Sequence, residues 1–183
     1  ETYLNCDRKR LLGNVKRCWS SLFTPRAIFY RHEKKLAKKR VSVAVVVQQM
    51  VQSEISGITF TVHPVTEDRN QMLIEAGWGL GEAIVSGSIT PDSYVVDKRT
   101  DELIEITVSQ QQKMIVRAPR GNRNISVPKK MKGRQKLGGH QIVELAKLCA
   151  KIEKHYKFPC DIEWAFAKNK FYITQSRPIT TLK

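Results

Sequence analysis

Residues 161–167 and 171–176 form two short runs with two-residue alternation, and they constrain the fold more than any other part of the chain. In the first run Ile162, Trp164 and Phe166 alternate with Asp161, Glu163, Ala165 and Ala167. Successive side chains of a strand point to opposite faces, so one face is greasy and the other carries two carboxylates. The second run sets Phe171, Ile173, Gln175 and Arg177 on one face. With Lys168-Asn-Lys170 between them, the two runs predict a hairpin.

A three-residue loop over 168–170 pairs Ala167 with Phe171. Counting back, Ala165 meets Ile173, Glu163 meets Gln175 and Asp161 meets Arg177. Directly opposed residues share a face, with Cβ atoms roughly 4.5–5.5 Å apart. That spacing lets Glu163 and Gln175 hold one cation together. A two-residue loop would set Glu163 opposite Thr174 and spoil the site. Two carboxylates and an amide oxygen suit Mg²⁺, a hard cation that prefers oxygen and usually shares it with phosphates. An arginine beside them neutralises charge on a transferring phosphoryl group. The same residues also suit a surface hairpin with an Asp161–Arg177 ion pair, an arrangement that says little by itself.

The first forty residues read as helical, with Val15, Cys18, Trp19 and Leu22 at helical spacing. Thr24-Pro25 marks a second helix start, Thr as cap and Pro at the first position. From Val41 to Val47 the chain is β-branched and nearly all apolar, which predicts a strand buried on both faces. Further strands are expected over 57–63, 71–76, 92–96 and 102–108, with a glycine-rich turn at 77–82 leading into a short helix over 82–85. Residues 118–139, rich in Gly, Pro and Lys, read as loop. Ile142, Leu145, Cys149, Ile152 and Tyr156 then form one face of an amphipathic helix that Phe158-Pro159 stops.

The 183 residues suffice for one domain or two small subdomains. The longest apolar run, near 43–47, is too short to span a bilayer, and no signal-peptide pattern is present. Cys6, Cys18, Cys149 and Cys160 form no C-x-x-C pair, and the four histidines lie at no ligand spacing. A reducing, cytoplasmic setting is the simplest expectation. The net charge of +15 draws polyanions, nucleotide phosphates among them. A basic nucleic-acid-binding module is the rival reading, with steep salt dependence as its signature. No RNA- or DNA-binding motif supports it.

Asp161-Ile-Glu-Trp164, followed by Phe171-Tyr-Ile-Thr-Gln-Ser-Arg-Pro178, closely resembles the end of the ATP-binding domain in the phosphoenolpyruvate synthase and pyruvate phosphate dikinase family. Rifampin phosphotransferase shares that domain. Val45-Val-Val-Gln-Gln-Met-Val51 with Ser56-Gly-Ile-Thr-Phe-Thr61 is similar to the family's strand pair around the adenine site. Gly77-Trp-Gly-Leu-Gly-Glu-Ala-Ile-Val-Ser-Gly87, followed by Pro91-Asp92, is similar to its glycine-rich segment. Glu1-Thr-Tyr-Leu-Asn5 resembles the tail of a motif just upstream. Four blocks in the right order cover essentially the whole chain and favour the cation site over the plain surface hairpin.

The resemblance implies an α+β ATP-grasp fold in which two subdomains clamp Mg-ATP. Residues 1–40 are then an N-terminal helical segment, and 41–183 a nucleotide-binding subdomain built mainly of antiparallel sheet with flanking helices. By resemblance, Glu163 and Gln175 are Mg²⁺ ligands with Asp161 beside them, and Arg177 contacts the transferring phosphates. Gln48 sits at the hinge near the adenine amino group, the backbone of Gln49, Met50 and Val51 pairs with the adenine edge, and Glu54 is a candidate for the ribose hydroxyls. The implied activity is an ATP-dependent phosphotransferase of the pyruvate,water dikinase type. ATP gives a phosphoryl group to a histidine on another domain, which passes it to pyruvate, a rifamycin or another acceptor. The subdomain bringing a lysine and an arginine to the phosphates is expected before Glu1. The phosphohistidine and acceptor domains are expected elsewhere, since none of the four histidines lies in the family's Thr- and Gly-rich context.

Overall fold

The computed structural model describes residues 1–36, 41–119, 121–180 and 182, and the chain divides into two compact units. One comprises Glu1–Met50 with Arg117–Asn122, the other Val51–Val116 with Arg123–Lys183.

In the first unit, α1 (Arg8–Ser20) starts at Asp7, whose carboxylate accepts from the Arg10 N–H at 2.8 Å. A 3-10 turn over Ser21–Phe23 leads to Thr24, whose hydroxyl accepts from the Ala27 N–H, and Pro25 opens α2 (Pro25–Glu33). The threonine supplies an acceptor to an otherwise orphaned helix N–H, and proline needs none, so the predicted start is the observed one. Neither helix buries a residue.

The apolar run 41–47 departs from the expectation. It enters no sheet, and Val46 and Val47 are 82% and 65% exposed. β-branched side chains keep the backbone extended, but a strand buried on both faces needs a layer on each side. This exposure means that the described residues of its unit do not supply both layers.

The second unit is built on a six-stranded antiparallel sheet in the order β4-β3-β2-β1-β7-β8. The strands are β1 (Ile55–Phe60), β2 (Gln71–Trp78), β3 (Asp92–Asp97), β4 (Leu103–Thr107), β7 (Cys160–Ala167) and β8 (Lys170–Pro178). Helix α3 (Glu82–Val85) follows β2, as the sequence predicts. Part of the stretch expected as loop is instead strand: β6 (Asn122–Ser126) lies within it and forms a separate two-stranded sheet with β5 (Lys113–Arg117), which precedes it.

One face of the large sheet is closed by α4 (Gly139–Tyr156). Its Ile142, Leu145, Ala146 and Cys149 pack with Met72, Ile74, Tyr94, Val96, Ile162 and Trp164. Tyr156, expected on that apolar face, is 49% exposed because it lies in the helix's last turn, before the left-handed Lys157. Trp164 is 2% exposed and donates its indole N–H to the Thr59 hydroxyl at 3.0 Å, which satisfies a buried donor. Gly57, its partner on β1, has no side chain and leaves room for the indole.

The segment before α4 is pinned by charge. Asp92 and Lys136 pair at 2.6 Å with both side chains fully buried. Asp92 also accepts from the Tyr94 hydroxyl at 2.8 Å and from the Ser109 and Lys136 backbone N–H groups, each at 2.9 Å. Lys136 further donates to the Ser109 carbonyl at 2.7 Å. A buried pair is tolerable when its remaining hydrogen-bonding capacity is used in this way.

Candidate functional site

The β7–β8 hairpin turns on two residues, Lys168 and Asn169, not three. Ala167 pairs with Lys170, and both turn residues have positive φ (50° and 56°). These are the angles of a tight turn whose twist matches that of the flanking strands. Alone, such a turn would put Glu163 opposite Thr174. A bulge intervenes, because Trp164 pairs with Ile173 while Glu163 pairs with Gln175. Thr174 is the extra residue. Beyond the bulge, Asp161 opposes Arg177, so both expected pairings are restored.

The sheet extends this face far beyond the hairpin. Glu163 pairs with Ile58 of β1, Ile58 with Glu75 of β2, and Glu75 with Ser93 of β3. Gln175, Glu163, Ile58, Glu75 and Ser93 therefore form one row across five strands, all on the face opposite α4. The next row runs Arg177, Asp161, Phe60, Leu73 and Val95. Half-buried Ile58, Phe60 and Leu73 make an apolar floor between acidic groups. The resemblance did not point to Glu75. It lies 88 positions before Glu163 in sequence, and only the strand order brings the two into one row.

Asp161 is the pivot of the site. Its side chain is 10% exposed, and its Oδ2 accepts from Arg177 Nε at 2.8 Å and Nη2 at 2.7 Å. Its other oxygen, Oδ1, is buried with no hydrogen-bond partner. A buried acceptor left empty is costly, and it becomes reasonable where a ligand completes it. Burial pushes the Glu163 carboxyl above its ordinary value of 4.5; Arg177 pulls it back and Asp161 pushes it further up. Burial also raises Glu75, with Asp161 adding repulsion. Asp161, Glu163 and Glu75 thus share one face with the Arg177 guanidinium, on a chain whose net charge is +15.

A raised carboxyl binds its proton more tightly in the folded state than in the unfolded chain. Stability therefore falls as pH rises from about 4.5 through the raised values. Glu75→Gln and Glu163→Gln should each raise the melting temperature of the metal-free protein near neutral pH, and the gain should shrink towards pH 4.5. Thermal melts at the two pH values test this; a gain that does not change with pH would disprove it.

The donors on this face are carboxylate and amide oxygens, which suit a hard cation. Asp161, Glu163 and Gln175 lie on one side of Ile58, with the empty Asp161 oxygen among them. Among the described residues, no three His, Cys, Asp or Glu side chains stand close enough to ligate one ion by themselves. Any cation here would be completed by the Gln175 amide and by oxygens from outside the protein.

The other expected residues are dispersed. Gln48 and Gln49 are exposed and Met50 half-buried in the first unit, outside any helix or strand. Val51 is half-buried in the second unit, and Glu54 is exposed there. Glu54 caps the hairpin turn, its Oε1 accepting from the Lys168 N–H at 3.0 Å. The glycine-rich segment is built for packing. Gly79 has φ +89°, its N–H donates to the Glu54 carbonyl at 2.9 Å, and its carbonyl accepts from the Ser53 and Ser56 hydroxyls at 3.0 and 2.8 Å. Glu82 lines a groove with Ser86, Ser88, Lys113, Asn124 and Ser126.

Comparison with known proteins finds relatives along the whole chain. The family model "Pyruvate phosphate dikinase, AMP/ATP-binding domain" matches residues 1–183. The chain is 46% identical over its whole length to a probable phosphoenolpyruvate synthase of Methanocaldococcus jannaschii and covers 16% of that protein. It is 46% identical to the phosphoenolpyruvate synthase of Pyrococcus furiosus, covering 24% of it. A rifampicin phosphotransferase of Bacillus subtilis is 39% identical and is covered to 21%. The chain thus spans about a quarter or less of the length of these curated relatives. It belongs to the pyruvate phosphate dikinase AMP/ATP-binding domain family.

Proposed function

We propose that this chain is the ATP-binding part of a dikinase-type phosphotransferase of the phosphoenolpyruvate synthase kind, with an ATP-grasp architecture. The observation that carries the reading is the pairing of Glu163 with Gln175 and of Asp161 with Arg177 on one sheet face. Asp161, Glu163 and Gln175 would hold Mg²⁺, and the buried, empty Asp161 oxygen supports that fit. Held there, the cation would supply positive charge against the phosphate oxygens of ATP.

The chain's own residues do the rest. Arg177, held by Asp161 through two guanidinium nitrogens, presents its remaining donors to a transferring phosphoryl group. Gln48 and the backbone of Gln49, Met50 and Val51 are the adenine contacts in this reading, with Glu54 a candidate for the ribose. Catalysis of this type rests on positioning and charge neutralisation. The phosphoryl group then passes to a histidine on another domain of the whole protein and on to pyruvate. The synthases are matched at about 46% identity, against 39% for the B. subtilis rifampicin phosphotransferase, which favours pyruvate over a rifamycin as the acceptor.

Calorimetric titration of Mg-ATP into the protein, with Glu163→Ala as control, tests the reading. Binding that requires Mg²⁺ and weakens at least about 10-fold in the variant is expected. Equal binding by wild type and variant would refute the hairpin assignment.

A further inference from the structure

We infer that Glu75 is a positioning residue of the same cation–nucleotide site, holding a metal-bound water from the far side of Ile58. The inference rests on the proposed Mg-ATP reading and deepens it. Glu75 shares a row with Gln175, Glu163 and Ile58 on the face opposite the core, so it stands two strands from Glu163, with β1 between them.

The spacing selects the role. Neighbouring strands lie about 4.8 Å apart, so the Glu75 and Glu163 backbones are separated by roughly 10 Å. Two carboxylates ligating one Mg²⁺ directly need oxygens within about 4.2 Å of each other, twice the metal–oxygen distance. Among the described residues no three acidic, His or Cys side chains meet that closely, so Glu75 cannot complete an inner coordination shell with Asp161 and Glu163. Mg²⁺, however, keeps several of its waters in protein sites. A water on the ion's outer side extends its reach by one hydrogen bond, which lets a carboxylate two strands away take part.

Energetics favour the same role. Glu75 is half-buried on an apolar floor, and among the described residues its carboxylate makes no side-chain hydrogen bond or ion pair. Asp161, a like charge, adds repulsion to it. A carboxylate that serves the fold would be expected to pair, as Asp92 does with Lys136 and Glu153 does with Lys98. Glu75 instead adds negative charge to a face that already holds an empty buried carboxylate oxygen on Asp161. Burial and repulsion together disfavour its charge until a cation arrives.

The test is Mn²⁺ binding to the full-length protein in the presence of ATP, read by loss of the free-ion EPR signal. Metal-free ATP affinity is measured in parallel. Glu75→Gln should weaken Mn²⁺ about 10-fold, as expected for a group that orients a ligand. The same change should tighten metal-free ATP or leave it unchanged, because it removes a negative charge near the phosphates. Glu75→Asp, which keeps the charge on a shorter stem, should fall between wild type and Glu75→Gln for Mn²⁺. A merely structural role would weaken both ligands together and would overturn the inference. Wild-type Mn²⁺ affinity in Glu75→Gln, with binding lost in Glu163→Gln, would also overturn it while leaving the broader reading intact. Unchanged binding in both variants, or none in the wild type, would remove the site itself.

Discussion

On the proposed reading, Glu163→Gln in the full-length protein is expected to slow phosphoryl transfer from ATP by on the order of 10³-fold while leaving the protein folded. A bound metal stabilises transition-state charge by several kcal/mol, and about 4 kcal/mol corresponds to a thousandfold in rate. Glutamine keeps the shape of the side chain and leaves the backbone pairing of residue 163 with Gln175 untouched, so β7–β8 pairing survives. It loses the charge that neutralises the cation. The fold gains if anything, because burial and Asp161 both oppose that charge in the metal-free protein. Activity and stability should therefore move in opposite directions. Single-turnover transfer from labelled ATP, measured alongside thermal melting, reads both. A rate within tenfold of wild type at saturating Mg²⁺ would show that Glu163 does not hold the metal. Arg177→Lys provides a second view of the same site. Lysine keeps the charge but not the fork that grips Asp161 through Nε and Nη2, so it should impair the rate less than Glu163→Gln does.

Much of this hairpin was legible in the sequence, though its turn was not. The alternation in residues 161–167 identifies the buried face, and Ile162, Trp164 and Phe166 are buried as it requires. The three-residue loop does not exist. Lys168 and Asn169 make a two-residue turn without the glycine that usually announces one, and a bulge at Thr174 adds back the residue the turn removes. Neither feature has a composition signature here, and their effects cancel at Glu163. The polar strand β6, Asn-Arg-Asn-Ile-Ser, escaped notice because no apolar alternation marks it. Residues 41–47 failed the other way. Their composition fixes an extended backbone, but burial depends on partners that no local pattern specifies. Glu75 was invisible for a similar reason: its place in the row depends on β1 lying between β2 and β7, and β1 and β7 are about a hundred residues apart.

Gly57→Ala is expected to destabilise the second unit by about 3 kcal/mol or more, at the upper end of what overpacking costs. A Cβ on Gly57 would lie 1.9 Å from the Glu75 carbonyl oxygen and 2.3 Å from Trp164 Cζ2. The indole cannot move far. It is 2% exposed, bonded to the Thr59 hydroxyl and packed edge-on against Phe171 at 5.6 Å. The carbonyl belongs to β2 itself, so relieving that contact means parting β1 from β2. Trimming the tryptophan should therefore not rescue the variant, and Gly57→Ala with Trp164→Phe should remain destabilised. Urea unfolding of the two variants separates the causes. Recovery in the double variant would assign the glycine to the indole alone, and wild-type stability in Gly57→Ala would refute the close approach. The outcome reaches the site as well. The strands that Gly57 lets come together carry Ile58 and Glu75, so a sheet wedged open there would separate the acidic groups on its other face. A residual folded fraction of Gly57→Ala should accordingly bind Mg-ATP more weakly than wild type, although Gly57 faces the core and touches no ligand.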